Sequence, residues 1–173
     1  MASASADKEK KGLYLFREWL NKNRIPYAPI SRDTRLFSDA LKEIFEAKTP
    51  DFLILIEKLG LIFVDVKYKE FHTSKRVFLL DPEEVKEYLN LEKKFNFKVW
   101  FIFSNDEMSH GEWHWLSVED AAGMRDTIKP AFGGRKGEYR GNLMHITPSR
   151  CIAVYTDDST QELLSKIIPR HKT

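Results

Sequence analysis

The sequence lacks paired cysteines, a membrane-spanning apolar run and a secretory signal, and each absence excludes a class of protein. It has a single cysteine, Cys151, so neither an intrachain disulfide nor a cluster of thiolate metal ligands can form, which fits a reducing compartment. No apolar run approaches the roughly 20 residues that a membrane helix needs. The first residues, MASASADKEKK, lack the apolar segment of a secretory signal. These absences predict a cytoplasmic protein with no membrane contact and no disulfide-linked partner.

A strong charge of either sign is absent as well. The 28 basic and 26 acidic residues leave a net charge of +2, which does not by itself indicate a nucleic-acid partner. The 173 residues contain no internal repeat, and 42% of them are hydrophobic, which is enough for a compact domain with a single core. We therefore expect a disordered tail over residues 1–11 and a single domain over residues 12–173.

Hydrophobic periodicity predicts helices first and strands after them. Apolar residues recur at helical spacing over residues 12–23 and again over residues 33–48. The stretches DFLILIE (51–57) and LIFVDVKY (61–68) are rich in β-branched and aromatic residues and predict two strands. Gly60, in the short connection between them, can take the positive φ of a tight turn. The two strands are therefore expected to form an antiparallel hairpin.

The rest of the chain predicts a helix, a buried strand and shorter additions. Asp81-Pro82 is a typical N-cap and first helical residue, so a helix is expected to run to about Lys94. The stretch NFKVWFIFS (96–104) is strongly apolar and predicts a central strand, parallel to its partner across that helix. Short strands and helices follow. This order predicts an α/β fold with a mixed central β-sheet flanked by helices.

The hairpin carries charged side chains among its apolar residues. With the turn centred on Leu59, Asp51 lies opposite Lys67 and Leu53 lies opposite Asp65, and the period of two puts all three charges on one face. Carboxylates about 5 to 7 Å apart can share one divalent cation, and oxygen ligands suit Mg²⁺ or Mn²⁺ better than zinc. Such an ion would polarise a phosphodiester, and a neighbouring lysine would stabilise the transition state. The alternative is structural: Asp51 caps the preceding turn, and Asp65 and Lys67 form a surface ion pair.

Pro50-Asp51, followed by Asp65-Val66-Lys67 on the next strand, resembles the signature of the PD-(D/E)XK nuclease superfamily. This superfamily includes restriction endonucleases and archaeal-type Holliday junction resolvases. The resemblance extends over residues 13–103 through the order of elements, whereas the motif itself comprises five residues. It implies a restriction-endonuclease-like αβββαβ core with an inserted helix and C-terminal additions. It also implies a metal ion held by Asp51, Asp65 and the backbone carbonyl of Val66, with Lys67 catalytic.

The sequence departs from the superfamily on the first helix. Members usually carry a glutamate there that reaches towards the metal, and the candidates are Glu18 and Glu9, neither at the expected spacing. We assign Glu18 as the further metal ligand. The helix after the hairpin often adds a polar side chain that faces the site. Glu84 or Tyr88 would fill that role, although Tyr88 is more typical of a core residue.

Two basic clusters are candidates for holding a DNA backbone. They are Lys69, Lys75 and Arg76 after the hairpin, and Arg135, Lys136 and Arg140 in the glycine-rich stretch GGRKGEYRG. Cationic side chains at these positions can bind phosphates, and the glycines allow mobility. Solvated faces of an ordinary protein would look the same in the sequence.

The stretch HGEWHWL offers two further candidates that we interpret as structural. His110 and His114 are four residues apart, as in a helical metal pair, but the flanking residues do not favour a helix and no third ligand is evident. Trp113 and Trp115 alternate with His114 as on a strand, which favours packing on the core over stacking on bases. Cys151 has no convincing histidine partner, so nucleophilic catalysis is discarded.

The sequence thus predicts an Mg²⁺- or Mn²⁺-dependent endonuclease that hydrolyses DNA. Cutting both strands would require a homodimer, for which the WHWL segment (113–116) is a candidate face. The alternative is a nucleic-acid-binding or protein-interaction module on the same fold, without turnover. The irregular position of the first-helix glutamate favours that alternative.

Overall fold

The computed structural model describes residues 4–30, 33–45, 48–72, 75–133, 137–156, 158 and 160–167. The helices in these ranges are α1 (Ala4–Lys22), α2 (Asp39–Phe45), α3 (Pro82–Phe95), α4 (Val118–Gly123) and α5 (Thr160–Ile167). The strands are β1 (Tyr27–Pro29), β2 (Phe52–Ile56), β3 (Gly60–Tyr68), β4 (Phe78–Leu80), β5 (Lys98–Ser104), β6 (Trp113–Ser117), β7 (Ile128–Gly133), β8 (Glu138–Ile146) and β9 (Ile152–Val154).

The main sheet contains six strands in the order β1-β2-β3-β5-β6-β9. The β3–β5 pair is parallel, and every other neighbouring pair in this sheet is antiparallel. The connection from β3 to β5 passes through α3, because parallel neighbours need a crossover. The predicted mixed sheet is therefore confirmed, as is a central β5 that runs parallel to its partner across a helix.

The two faces of this sheet pack against different helices. On β3, Val64 and Val66 point to the cluster that contains Phe16 and Trp19 of α1, whereas Asp65 and Lys67 point to the opposite face, where α3 lies. This alternation follows from the period of two along a strand. The charged residues of β3 therefore lie in the layer between the sheet and α3.

Helix α3 begins as its sequence predicts. The side chain of Asp81 accepts a hydrogen bond of 2.9 Å from the backbone N–H of Glu83, and Pro82 occupies the first turn. An N-cap of this kind contributes about 1 kcal/mol to helix stability. The cap fixes the start of α3, and the same helix carries Glu84 and Tyr88 to the face of β3.

Helix α1 begins at Ala4, although the sequence predicted a disordered tail as far as residue 11. Two of its lysines tie it to the sheet, because Lys8 forms an ion pair with Glu70 and Lys11 with Asp106. Gly12 also lets the helix approach closely, since a Cβ at this position would lie 2.2 Å from Cβ of Tyr68. These long-range contacts order residues whose composition alone suggested a solvated tail.

A second sheet, which the sequence did not predict, has the strand order β4-β8-β7. Gly133 ends β7, and Arg140 and Gly141 lie within β8, so part of the predicted glycine-rich loop belongs to an antiparallel pair. The second half of β8 agrees with a short strand predicted over residues 142–146, where Met144 and Ile146 are buried. Most residues of β7 and of the first half of β8 are exposed, so these parts lack the apolar alternation that marks a half-buried strand. Arg135 and Lys136, predicted to bind DNA, lie outside the described residues.

Among the described residues, none of the helices has the length and apolar character needed to cross a membrane.

Candidate active site

The register of the β2–β3 hairpin differs from the predicted register by two residues. Phe52 pairs with Val64, and Leu53 pairs with Phe63 instead of with Asp65. The reason is the turn, in which three residues separate Ile56 from Gly60 and Lys58 itself adopts a positive φ of 65°. A shift by an even number of residues leaves each side chain on its predicted face.

Asp51 lies at the junction of three strands, immediately before β2. Its N–H donates to the carbonyl of Val64 at 2.9 Å, and its own carbonyl accepts from the N–H of Ile30 at 2.9 Å. Its side-chain Oδ2 accepts a hydrogen bond of 2.8 Å from the N–H of Val66. Asp51 therefore caps the backbone of β3, whereas the structural alternative had assigned it to the preceding turn.

Asp65 is buried in the middle of β3, with 4% of its surface exposed. Its Oδ1 lies 2.8 Å from Nζ of Lys67, and its Oδ2 accepts a hydrogen bond of 2.7 Å from the hydroxyl of Tyr88. Burial acts to raise the pKa of Asp65, but the ammonium groups of Lys67 and Lys48 outweigh it and hold the pKa below its usual value. The carboxylate is therefore ionised at neutral pH.

Lys67 is 6% exposed and lies between two acidic side chains. Besides Asp65 it contacts Glu84, whose Oε1 is 2.5 Å from its Nζ. Burial acts to lower the pKa of Lys67, but the two carboxylates raise it above its ordinary value. Lys67 therefore carries a fixed positive charge and is not a general base. Both residues of this pair are buried, so the alternative of a surface ion pair is wrong.

Two further residues complete the charge network. Lys48, which follows α2, places its Nζ 2.7 Å from Oε1 of Glu84 and 3.7 Å from Oδ2 of Asp65. The sequence did not predict this role for Lys48, because its partner Glu84 is distant along the chain. Tyr88 belongs both to the core and to the site, since burial and the charge of Asp65 raise the pKa of its hydroxyl and keep it a donor.

A cavity of about 820 Å³ lies at the open end of the β2–β3 hairpin, and Lys48 and Glu84 line it. Asp51, Asp65, Val66 and Lys67 all contribute to its wall, so the structure brings the predicted group together. Six acidic and five basic side chains line it among the described residues: Glu9, Asp51, Asp65, Glu70, Asp81 and Glu84, and Lys8, Lys48, Lys67, Lys69 and Arg140.

The glutamate of the first helix at this cavity is Glu9, not Glu18. Glu18 lines a different cavity, together with Trp19 and Trp113. The two glutamates are nine positions apart, which corresponds to about 13.5 Å along the helix axis. The assignment of Glu18 as a metal ligand is therefore corrected. The cause is the direction of α1, whose N-terminal end lies at the cavity.

The predicted DNA-binding cations are divided between two places. Lys69 and Arg140 line the cavity that contains the aspartates. Lys75 and Arg76 line a neighbouring cavity, where the Arg76 guanidinium lies 4.9 Å from the ring centre of Phe71. Because Phe71 contributes to both cavities, the two places are adjacent on the surface.

The donor groups fit a hard divalent cation in their chemistry, since carboxylate and carbonyl oxygens are the ligands that Mg²⁺ prefers. Within the described residues, no three His, Cys, Asp or Glu side chains lie close enough together to hold an ion as they stand. In the structure, the ammonium groups of Lys67 and Lys48 neutralise the carboxylates of Asp65 and Glu84, which is what a bound cation would do. Binding a cation would therefore require at least one ammonium group to give way.

His114, Trp113 and Trp115 of the HGEWHWL stretch are structural, whereas His110 is exposed in the turn before β6. His114 lies between two protein acceptors, with Nε2 2.7 Å from Oε1 of Glu112 and Nδ1 3.2 Å from the carbonyl of Pro148. Trp113 and Trp115 are buried in the main core, as their alternation on the strand predicted. Every residue of β6 is buried, so the suggestion that this segment forms a dimer face is not supported.

Comparison with solved structures finds a protein of similar fold. No protein-family model matches the sequence, and no curated protein matches it either. The chain is similar to the 1.6 Å structure of Hjc, a Holliday junction resolvase from the archaeal hyperthermophile Archaeoglobus fulgidus. The TM-score is 0.50 at 10% sequence identity, and the match covers 84% of this chain and 94% of that chain. The chain thus shares the α/β fold of that structure.

Proposed function

We propose that this protein is a metal-dependent endonuclease that hydrolyses phosphodiester bonds of DNA. One observation supports the proposal most directly: the carboxylates of Asp51 and Asp65 and the ammonium of Lys67 line one cavity of a nuclease-like fold. Desolvating a charge costs several kcal/mol, and well-packed apolar residues would serve stability at least as well. A buried charge cluster that opens on a cavity therefore favours a chemical role.

In this proposal the carboxylates of Asp51 and Asp65 and the backbone carbonyl of Val66 hold Mg²⁺ or Mn²⁺. When bound, such an ion polarises the phosphodiester and lowers the pKa of a water molecule. Tyr88 orients the carboxylate of Asp65 through its hydrogen bond. Lys67 stabilises the negative charge that develops on the phosphate.

The charge of the cavity wall is a second argument for a cation. Acidic and basic groups are nearly balanced there among the described residues, six against five, so the wall alone attracts a phosphate only weakly. The two positive charges of a bound divalent cation would make the wall net positive and allow the DNA backbone to approach. Lys69 and Arg140 would then contact phosphates on either side of the scissile bond.

The proposal is tested by incubating the protein with linear duplex, splayed-arm and four-way-junction DNA, in Mn²⁺, in Mg²⁺ and in EDTA. Cleavage is expected with either metal and not in EDTA. Binding of these substrates without cleavage under any condition would contradict the proposal. It would favour the alternative, a nucleic-acid-binding module on the same fold.

Replacing Lys48 with methionine is expected to strengthen Mn²⁺ binding on the order of tenfold, because one positive charge beside Asp65 is removed. The measurement is a calorimetric titration of the metal-free protein with Mn²⁺. The matched control is Lys42→Met, since Lys42 forms an exposed pair with Asp39 on α2. Unchanged or weaker Mn²⁺ binding by Lys48→Met, relative to this control, would show that Lys48 does not compete with the ion.

A homodimer and a cytoplasmic location stay predictions of the sequence. Two sites are needed to cut both strands at once, so we expect the endonuclease to act as a dimer. Because β6 is buried, the contact between subunits must use another surface.

A further inference from the structure

We infer that the exposed apolar face of the β2–β3 hairpin binds the same face of a second copy of this chain and so forms a homodimer interface. The inference goes beyond the proposed function, because it rests on uncovered apolar surface and not on DNA cleavage. We call this face the hairpin patch. It comprises Leu53 and Leu55 of β2, Leu61 and Phe63 of β3, and the neighbouring Phe45, Phe95 and Phe97.

The four hairpin residues of the patch form one continuous apolar surface. Leu55 is directly paired with Leu61, and Leu53 is directly paired with Phe63. The period of two along each strand puts all four side chains on the face that also carries Asp65. Directly opposed side chains are about 5 Å apart, so they contact each other across the strands.

Three phenylalanine rings extend this surface beyond the hairpin. The ring centre of Phe63 is 4.6 Å from that of Phe97 and 6.3 Å from that of Phe45 in α2. The ring of Phe95, at the end of α3, stacks on Phe97 with the ring centres 6.1 Å apart. The patch therefore reaches from α2 across the hairpin to the end of α3.

The helices on this side of the sheet leave the patch uncovered. Leu55 is 51% exposed, Leu61 is 44% exposed and Phe95 is 40% exposed. At roughly 200 Å² for each large apolar side chain, these three residues alone leave on the order of 250 Å² of apolar surface in solvent. The half-buried side chains of the patch add to this area, and contiguous apolar patches of several hundred Å² commonly mark binding surfaces.

Helix α2 shows the same lack of cover. It contacts the patch through Phe45, but none of its residues is buried, and Leu41 and Ile44 are only half-buried. An amphipathic helix normally buries an apolar stripe against a core. A partner seated on α2 and the hairpin would bury both at once.

The extent and shape of the patch fit a second copy as the partner. A standard interface buries about 800 Å² on each partner, somewhat more than half of it apolar, so the patch can supply its apolar centre. The face of a strand pair can pack on its own twofold copy, as two sheets pack face to face.

The charges around the patch also favour a second copy. Exposed side chains of both signs flank it, namely Glu43 and Glu57, and Lys58, Lys93 and Lys94. In a twofold contact a rim of mixed sign can pair with itself, since each residue meets its partner twice. A partner selected by charge would instead require a rim of one sign.

The test is sedimentation equilibrium of the metal-free protein over a range of micromolar concentrations. Wild type is expected to sediment with twice the mass of one chain. The double variant Leu55→Lys/Leu61→Lys should weaken self-association by about 100-fold or more, because four like charges would meet in the apolar centre of the dimer.

The matched control is Phe132→Lys/Tyr139→Lys. These two residues are also exposed and directly paired, but they lie on β7 and β8 of the second sheet. The same change of charge there should alter the dissociation constant of the dimer by less than about threefold. Far-UV circular dichroism checks that both variants are folded, which we expect because all four side chains are about half exposed.

Hydrogen exchange of wild type gives a second measurement that needs no substitution. Backbone amides of α2 should exchange more slowly at high than at low protein concentration, since the dimer would cover a helix that has no buried residue. Amides of β7 should exchange at the same rate at both concentrations.

A wild-type protein that stays monomeric at every concentration would overturn the inference, even if another protein binds the patch. Unchanged self-association of Leu55→Lys/Leu61→Lys, an equal loss in the control, or no concentration-dependent protection of α2 would overturn it as well. Failure of the proposed function is separate, because none of these measurements depends on cleavage. Conversely, a monomer that cleaves DNA would keep the endonuclease and remove this interface.

Discussion

Replacing Asp65 with asparagine is expected to lower the rate of DNA cleavage by roughly 10³-fold or more. Asparagine keeps the shape and can still accept the hydrogen bond from Tyr88, but it removes the negative charge that would hold the cation. The loss of several kcal/mol of transition-state stabilisation supplied through the ion corresponds to a factor of this size. Initial rates on plasmid DNA in Mn²⁺ provide the measurement, together with a Mn²⁺ titration.

The matched control for this variant is Glu70→Gln. Glu70 lines the same cavity but forms an exposed ion pair with Lys8, so its loss should change the rate by less than about threefold. Cleavage by Asp65→Asn within tenfold of wild type, with unchanged Mn²⁺ affinity, would mean that the metal site lies elsewhere. A rate loss shared equally by both variants would point to the overall charge of the cavity instead.

Replacing Lys67 with methionine is expected to have two effects, one on stability and one on cleavage. The variant leaves the buried carboxylate of Asp65 without its nearest counter-charge and removes one of two ammonium groups beside Glu84. Removing one partner of a buried ion pair lowers the free energy of unfolding by about 3–5 kcal/mol. Because Lys48 remains as a second counter-charge, the loss should be near the lower value. For a chain of this size the melting temperature should fall by roughly 6–12 °C. Cleavage should fall by roughly 10² to 10³-fold because the fixed positive charge is lost.

A double-mutant cycle separates the two effects. Glu84→Gln in the Lys67→Met background removes one of the two carboxylates that then share the single ammonium of Lys48, so it should restore part of the stability but none of the activity. Lys86→Met is the surface control, because Lys86 forms an exposed ion pair with Glu83 within the same helix. This replacement should lower the free energy of unfolding by less than about 0.5 kcal/mol. Thermal unfolding followed by circular dichroism distinguishes these cases. If Lys67→Met melted at the same temperature as wild type, the buried charge network would not stabilise the metal-free protein.

The pKa of Lys67 adds a condition on pH. A pKa above the ordinary value means that the stability contributed by the Lys67 ion pairs is fully present below that ordinary value. It is lost only as the pH rises through the higher folded-state pKa. Lys67 therefore keeps its charge across the whole range in which DNA cleavage can be measured, as a residue that stabilises charge must.

Much of the site was predictable from local patterns. The apolar alternation of the hairpin predicted that Asp65 and Lys67 share a face, and this holds even though the register differs by two residues. The N-cap at Asp81 correctly predicted where α3 begins. These features depend on neighbours in the sequence, and the periods of strands and helices make such neighbours predictable.

Other parts of the site depend on contacts between distant segments. Lys48 meets Glu84, 36 residues away, and no local pattern shows this pairing. The choice of Glu9 over Glu18 follows from the direction in which α1 crosses the sheet. The exposed strand β7 and the first half of β8 carry no apolar alternation.

The sequence alone determined the hairpin, the central parallel strand and the face on which the charges lie, because backbone periodicity decides these within a few residues. Only the tertiary structure decided which charges pair and which glutamate reaches the cavity. The reason is that these relations arise from packing between elements, where a rotation or shift of one helix changes every partner without changing any local pattern.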